Sequence, residues 1–187
     1  TPTLVLNSAW WGQFDAWYAA FLLFSAAALF REKLCLSVFF FAISFTFKAQ
    51  AVFILPALGP LWVVEVFKNR KDRTLAIVAG IGMALFGYAF ALFPAWTQAF
   101  PLNGVFEIYG GQTNTFHRLS MNAPNVWSIF PNADYGFWAP TGIVIGAIVS
   151  LIIATGVFLK KGRWGSSLML DVLIFTAILI PFALPKM

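Results

Sequence analysis

A succession of apolar runs, each about as long as a membrane is thick, leaves this chain few ways to fold. Phe14–Phe30, Thr74–Phe93, Ala139–Leu159 and Ser166–Leu184 each approach the about 20 residues that a helix needs to cross a hydrocarbon core. A further run, Leu34–Val64, is about thirty residues long, generous for one crossing and short for two. Composition agrees. Of the 187 residues 60% are hydrophobic and 10% charged, against about 45–50% and about 25% in an ordinary soluble domain. The expected fold class is all-α: a polytopic transmembrane helical bundle. The net charge of +5 is no argument for a nucleic-acid partner, because the basic residues fall between the apolar runs, where they set orientation.

Those charges also decide the ambiguous run. If Leu34–Val64 crosses twice and turns near Lys48, three short loops share one side: Arg31–Lys33, Lys68–Arg73 and Lys160–Arg163. Only Lys48, Arg118 and Lys186 of the chain's 12 Lys and Arg then lie elsewhere. The positive-inside rule makes the three loops cytoplasmic. A single crossing would send the Lys68–Arg73 cluster outward and erase the bias. Six spans follow, at about 14–30, 34–47, 50–67, 74–93, 139–159 and 166–184, with a long outer loop over 94–138. Trp10, Trp11, Trp96, Trp127 and Trp138 fall at the expected outer interface and Trp62 and Trp164 near the inner one, the usual place of anchoring tryptophans.

The turn at Lys48 then has a depth. A helix from Leu34 to Phe47 is about 21 Å long, against a core of about 30 Å, so the turn sits below the outer surface. A lysine there is costly unless paired, and its natural partner is an anion reached from outside. The plainer reading is a lysine that snorkels from a longer, tilted helix. Small residues mark two helices: Gly80, Ala84, Gly87 and Ala91 in one, Gly142, Gly146, Ser150 and Ala154 in the other. Such stripes let helix backbones approach closely.

The outer loop is punctuated by Pro94, Pro101, Pro124 and Pro131 and leaves room for short interfacial helices at Phe106–Tyr109 and Thr115–Met121. Loops of this length are commonly functional. His117 is the chain's one histidine, with no cysteine nearby, and does not make a zinc site. Arg118 suits phosphate or carboxylate, or is a solvated interfacial arginine. Asp15, at the mouth of the first span, is either a helix cap or, with Gln13, a hydrogen-bonding group for a polar ligand. The outward polar set is Gln13, Asp15, Lys48, Gln50, His117, Arg118, Asn122, Asn125 and Lys186. Cations in it suit phosphate. Amides and a carboxylate suit sugar hydroxyls, and the faces of tryptophans such as Trp127 suit sugar rings.

Three stretches in order, SAWWGQFDAW (8–17), FKAQAVFILP (47–56) and LSMNAPNVW (119–127), with the terminal LPKM (184–187), resemble the polytopic GT-C class of glycosyltransferases. The similarity is to bacterial and archaeal members related to the lipid-linked-oligosaccharide glucosyltransferases. Gly12, Gln13 and Asp15 match a Trp-Gly-Gln-x-Asp motif, and Lys48 and Gln50 a Lys-x-Gln motif followed by a proline, here Pro56. Ser120, Asn122, Asn125 and Trp127 match a third motif, in which Pro124 stands where a bulky residue is more usual. Lys186 matches the start of a motif that runs on into His-Glu.

The resemblance implies transfer of a hexose from a polyprenyl-phosphate carrier to a glycan, lipid or protein acceptor outside the cytoplasm. It places the catalytic carboxylate upstream of Thr1, so no catalytic residue is expected here, and the chain reads as the central piece of a longer protein. Gln13, Asp15, Lys48, Gln50, His117, Arg118, Asn122, Asn125, Trp127 and Lys186 become donor-site candidates, with Lys48, Arg118 and Lys186 facing phosphate. No metal or other cofactor is called for. The expected location is a prokaryotic plasma membrane with the active face outward. The rival from another class is a transporter or flippase of a lipid-linked or anionic substrate, which would also use broken helices and buried charge. Against it, the polar groups lie on one side and none continues inward except Asp171. A purely structural membrane subunit leaves Lys48 and the polar loop unexplained.

Overall fold

The computed structural model of the chain describes residues 15–68, 73–98, 126–130, 134–160 and 166–184. The secondary structure of these residues is helical throughout, with no strand among them. The chain divides into two compact units, Thr1–Ala99 and Phe100–Met187.

The first unit is built around a central helix. Helix α1 (Asp15–Phe30) is followed after a tight turn by α2 (Leu34–Phe47), a 3-10 helix (Ala49–Ile54), α3 (Leu55–Lys68) and α4 (Arg73–Thr97). The α1–α2 turn is a Schellman motif. Glu32 N–H donates to the Leu29 carbonyl at 2.8 Å and Lys33 N–H to that of Ala28 at 2.9 Å, which satisfies carbonyls that the helix end would leave orphaned. The motif needs a left-handed residue, and here it is Glu32, at φ 58°. So short a turn makes α1 and α2 antiparallel neighbours, and their contacts pair off at matching distances from it. Ser25 Oγ donates to the Ser37 carbonyl at 2.7 Å, Phe21 and Phe40 stand 6.2 Å apart, and Ser44 Oγ donates to the Tyr18 carbonyl at 2.7 Å.

Helix α2 stops at Phe47 because Lys48 takes an extended conformation, φ −155° and ψ 121°. The 3-10 geometry that follows has a local cause. Pro56 has no N–H to give the Val52 carbonyl, and the N–H of Leu55 takes that carbonyl instead. Helix α3 then returns along α2. Trp62 Nε1 donates to Ser37 Oγ at 2.8 Å and its ring meets Phe41 edge-on at 5.3 Å. At the far end Lys68 Nζ lies 2.7 Å from Glu65 and 3.5 Å from Glu32. On its other side α2 packs against α4, where Phe39 stacks on Phe86 at 5.8 Å. A Cβ added at Gly87 of α4 would stand 2.8 Å from the Phe39 carbonyl oxygen, so only glycine permits this approach. Ala26, Leu29, Ala42, Ile43, Ala57, Leu58 and Leu61 are buried in this unit.

In the second unit α5 (Tyr135–Leu159) and α6 (Ser166–Ala183) pack together. Asp134 caps α5, its carboxylate accepting from the N–H of Phe137 at 2.9 Å. Hydroxyls inside the apolar helices turn back on their own turns: Ser150 donates to the Gly146 carbonyl and Thr176 to that of Val172, both at 2.7 Å. Leu184 lies directly on Gly146.

Two helical stretches, Ala49–Lys68 and Tyr135–Leu159, are long and apolar enough to cross a membrane, at 20 and 25 residues. The other apolar stretches, Asp15–Phe30, Leu34–Phe47, Ile77–Phe90 and Leu168–Ala183, are shorter. Leu75, Ile81, Leu85, Leu151, Ile152 and Leu159 each expose more than half of their surface, an apolar exterior that water does not favour and lipid does.

Candidate functional site

The antiparallel α1–α2 pair brings the carboxylate at the start of α1 to the lysine at the end of α2. Lys48 Nζ and Asp15 Oδ1 form an ion pair. In place of the external anion expected beside Lys48, the structure supplies a partner from the chain's own first motif. The two side chains keep 35% and 36% of their surface exposed, so the pair is neither desolvated nor free in solvent. The ammonium also lies 5.4 Å from the centre of the Tyr18 ring, within reach of a cation–π attraction. Three donors on one ammonium thus meet one carboxylate oxygen and one ring face.

What holds this geometry is independent of the pair. The Ser44–Tyr18 bond joins the helices one turn below it. Phe47 stacks on Phe21 at 5.8 Å and on Trp17 at 6.2 Å. Deeper, Ser25, Ser37 and Trp62 connect α1, α2 and α3 through hydrogen bonds. Gln50 sits on the 3-10 helix, exposed, two residues beyond Lys48.

Trp127, the other described candidate, belongs to the second unit. It is 5% exposed, packs with Ala139, Val126 and Tyr135, and donates its indole N–H to the Ala183 carbonyl at 2.9 Å. That bond satisfies a carbonyl at the end of α6 that has no intrahelical partner, so the observed work of Trp127 is to tie the 3-10 helix Val126–Ile129 to α6. Gln13, His117, Arg118, Asn122, Asn125 and Lys186 lie outside the described residues, as do the expected short helices of the outer loop. Among the described residues no group of three His, Cys, Asp or Glu side chains could hold a metal ion.

Sequence reasoning missed Tyr18 and the Asp15–Lys48 pairing. The signal for both was the Arg31–Lys33 turn. With α1 and α2 folded back at that point, Asp15 and Lys48 fall about equally far from it. No protein-family model, no curated protein and no solved structure matches this chain.

Proposed function

We propose that this chain is the central part of a membrane glycosyltransferase that moves a hexose from a polyprenyl-phosphate carrier to an acceptor outside the cytoplasm. The observation that carries the reading is the partly exposed Asp15–Lys48 pair at a helix break. The motif resemblance of residues 8–17, 47–56, 119–127 and 184–187 supports it. In the proposed topology the helices of both units cross the membrane, six crossings in all, with the basic turns cytoplasmic. Helix α2, at 14 residues, spans only about 21 Å. Lys48 then lies at headgroup depth or below, where broken backbone is tolerated beside protein or a watery cavity.

The chemistry follows from the bonds exchanged. An acceptor hydroxyl oxygen attacks the anomeric carbon, and a carboxylate upstream of this chain takes its proton. The bond from the anomeric carbon to the phosphate oxygen breaks, and the phosphate leaves with the electron pair. Charge grows on that phosphate in the transition state, and Lys48 stabilises it where water is scarce. Gln50 and Asp15 offer hydrogen bonds to sugar hydroxyls.

The test follows a sugar label. Full-length protein in liposomes is given polyprenyl-phosphate hexoses labelled in the sugar, with an acceptor on the outer side. Transfer of label to the acceptor is the expected result. Label that stays on the lipid but changes leaflet refutes transfer and makes the protein a transporter.

A further inference from the structure

The Asp15–Lys48 pair poses a question of charge. A cation that waits for a phosphate already holds a carboxylate, so an incoming anion meets an occupied ammonium and a like charge beside it. Building on the glycosyl-transfer reading, we infer that Asp15 is a specificity residue that makes the site prefer the loaded carrier over the spent one.

The two lipids differ in the two properties that Asp15 senses. The loaded carrier is a phosphodiester with one negative charge, and the sugar beside that phosphate presents hydroxyl donors. The spent carrier is a phosphomonoester of about −1.5 to −2 charge near neutral pH, with no hydroxyl beside it. When the loaded carrier binds, Lys48 turns from the carboxylate to the phosphate, and the released Asp15 accepts a hydrogen bond from a sugar hydroxyl. Both groups remain paired. After transfer the sugar is gone and the phosphate has gained charge. Asp15 then has nothing to accept from and stands against a stronger anion. It takes the ammonium back, and the spent carrier leaves.

The structure is suited to such an exchange. The pair is about one-third exposed on each side, and ion pairs of that exposure are weak enough to open. Opening it does not part the helices, because Ser44–Tyr18, Ser25–Ser37 and the Trp17–Phe47–Phe21 stack hold α1 on α2 without it. The Tyr18 ring, 5.4 Å from the ammonium, keeps Lys48 near its place while its anion changes.

The experiment measures binding without turnover. Detergent-solubilised full-length protein is titrated, with no acceptor present, with farnesyl phosphate and with farnesyl phosphate carrying glucose, mannose or galactose. The wild type is expected to bind a glycosylated lipid more tightly than the bare phosphate. Asp15→Asn should tighten bare farnesyl phosphate about fivefold or more and erase the preference. Asp15→Glu, which keeps the charge, should retain it, and this guards against a folding defect at position 15. Lys48→Met should weaken both lipids. An unchanged ratio in Asp15→Asn overturns the inference while leaving glycosyl transfer standing, as does equal weakening of both lipids. If the wild type binds none of the glycosylated lipids, the glycosyl-transfer reading fails and the inference with it.

Discussion

Replacing Gly87 by alanine tests the packing that sets α2 in place. The added Cβ would stand 2.8 Å from the Phe39 carbonyl oxygen and 3.1 Å from both the Ala42 Cβ and the Phe39 ring. The nearest atom is backbone, which cannot rotate away. A comfortable carbon–oxygen contact begins near about 3.3 Å, so α4 must retreat from α2 by about half an ångström. A gap of about that size forfeits roughly a quarter or more of each contact's dispersion energy, here around Phe39, Phe86 and Phe90. Overpacking of this kind costs about 1–3 kcal/mol. Alanine recovers about 1 kcal/mol of helix propensity over glycine, for a net loss of up to about 2 kcal/mol. Gly80 and Gly82 of the same helix have nothing within 4 Å of an added Cβ, so alanine there should be neutral or stabilising by up to about 1 kcal/mol. Equilibrium unfolding of the three variants in mixed micelles measures the difference. A Gly87→Ala protein as stable as Gly80→Ala would refute the close α2–α4 approach.

Other expectations follow from single contacts. Glu32→Gly should raise stability by about 0.5–1 kcal/mol, because glycine adopts the left-handed conformation of the α1–α2 turn without strain; the same unfolding assay reads it. Trp62→Phe keeps an aromatic side chain but removes the bond to Ser37 together with part of the indole, and should cost at least about 0.5–1.5 kcal/mol. A double-mutant cycle with Ser37→Ala should show that the two losses are not additive. Asp134→Ala should cost about 1 kcal/mol through loss of the α5 cap, measurable as a lower denaturation midpoint. Gly146→Ala should cost less than Gly87→Ala, because the atom it meets is the end of the Leu184 side chain, which can turn aside.

Much of the first unit was legible because it depends on local rules. Length and charge located a helix over Leu34–Phe47 and a break at Lys48, and the structure has that helix and that break. The small-residue stripe of α4 was legible as a pattern, but a pattern does not say which members lie under a neighbour. Gly87 does, and Gly80 does not. The left-handed Glu32 left no trace in composition, since the turn favours glycine and the chain has glutamate. The Asp15–Lys48 pair was legible in its parts and hidden as a pair. Each motif marked its own residue, but their meeting depends on the register of α1 on α2, a property of packing. Trp127 shows the reverse limit. Its residue type fits an anchor or a sugar platform equally, and only its burial and its bond to Ala183 reveal a packing role.

If Lys48 stabilises the phosphate that leaves in the proposed sugar transfer, the transfer rate of Lys48 variants must show it. Full-length wild type, Lys48→Ala and Lys48→Arg would be reconstituted at equal density and followed by release of labelled hexose from its polyprenyl phosphate. Removing one transition-state charge partner typically lowers kcat by about 10²–10³-fold. Lys48→Ala should fall by that amount, and Lys48→Arg, which keeps the charge, should recover part of it. A Lys48→Ala protein that turns over as fast as wild type would rule out that role for Lys48.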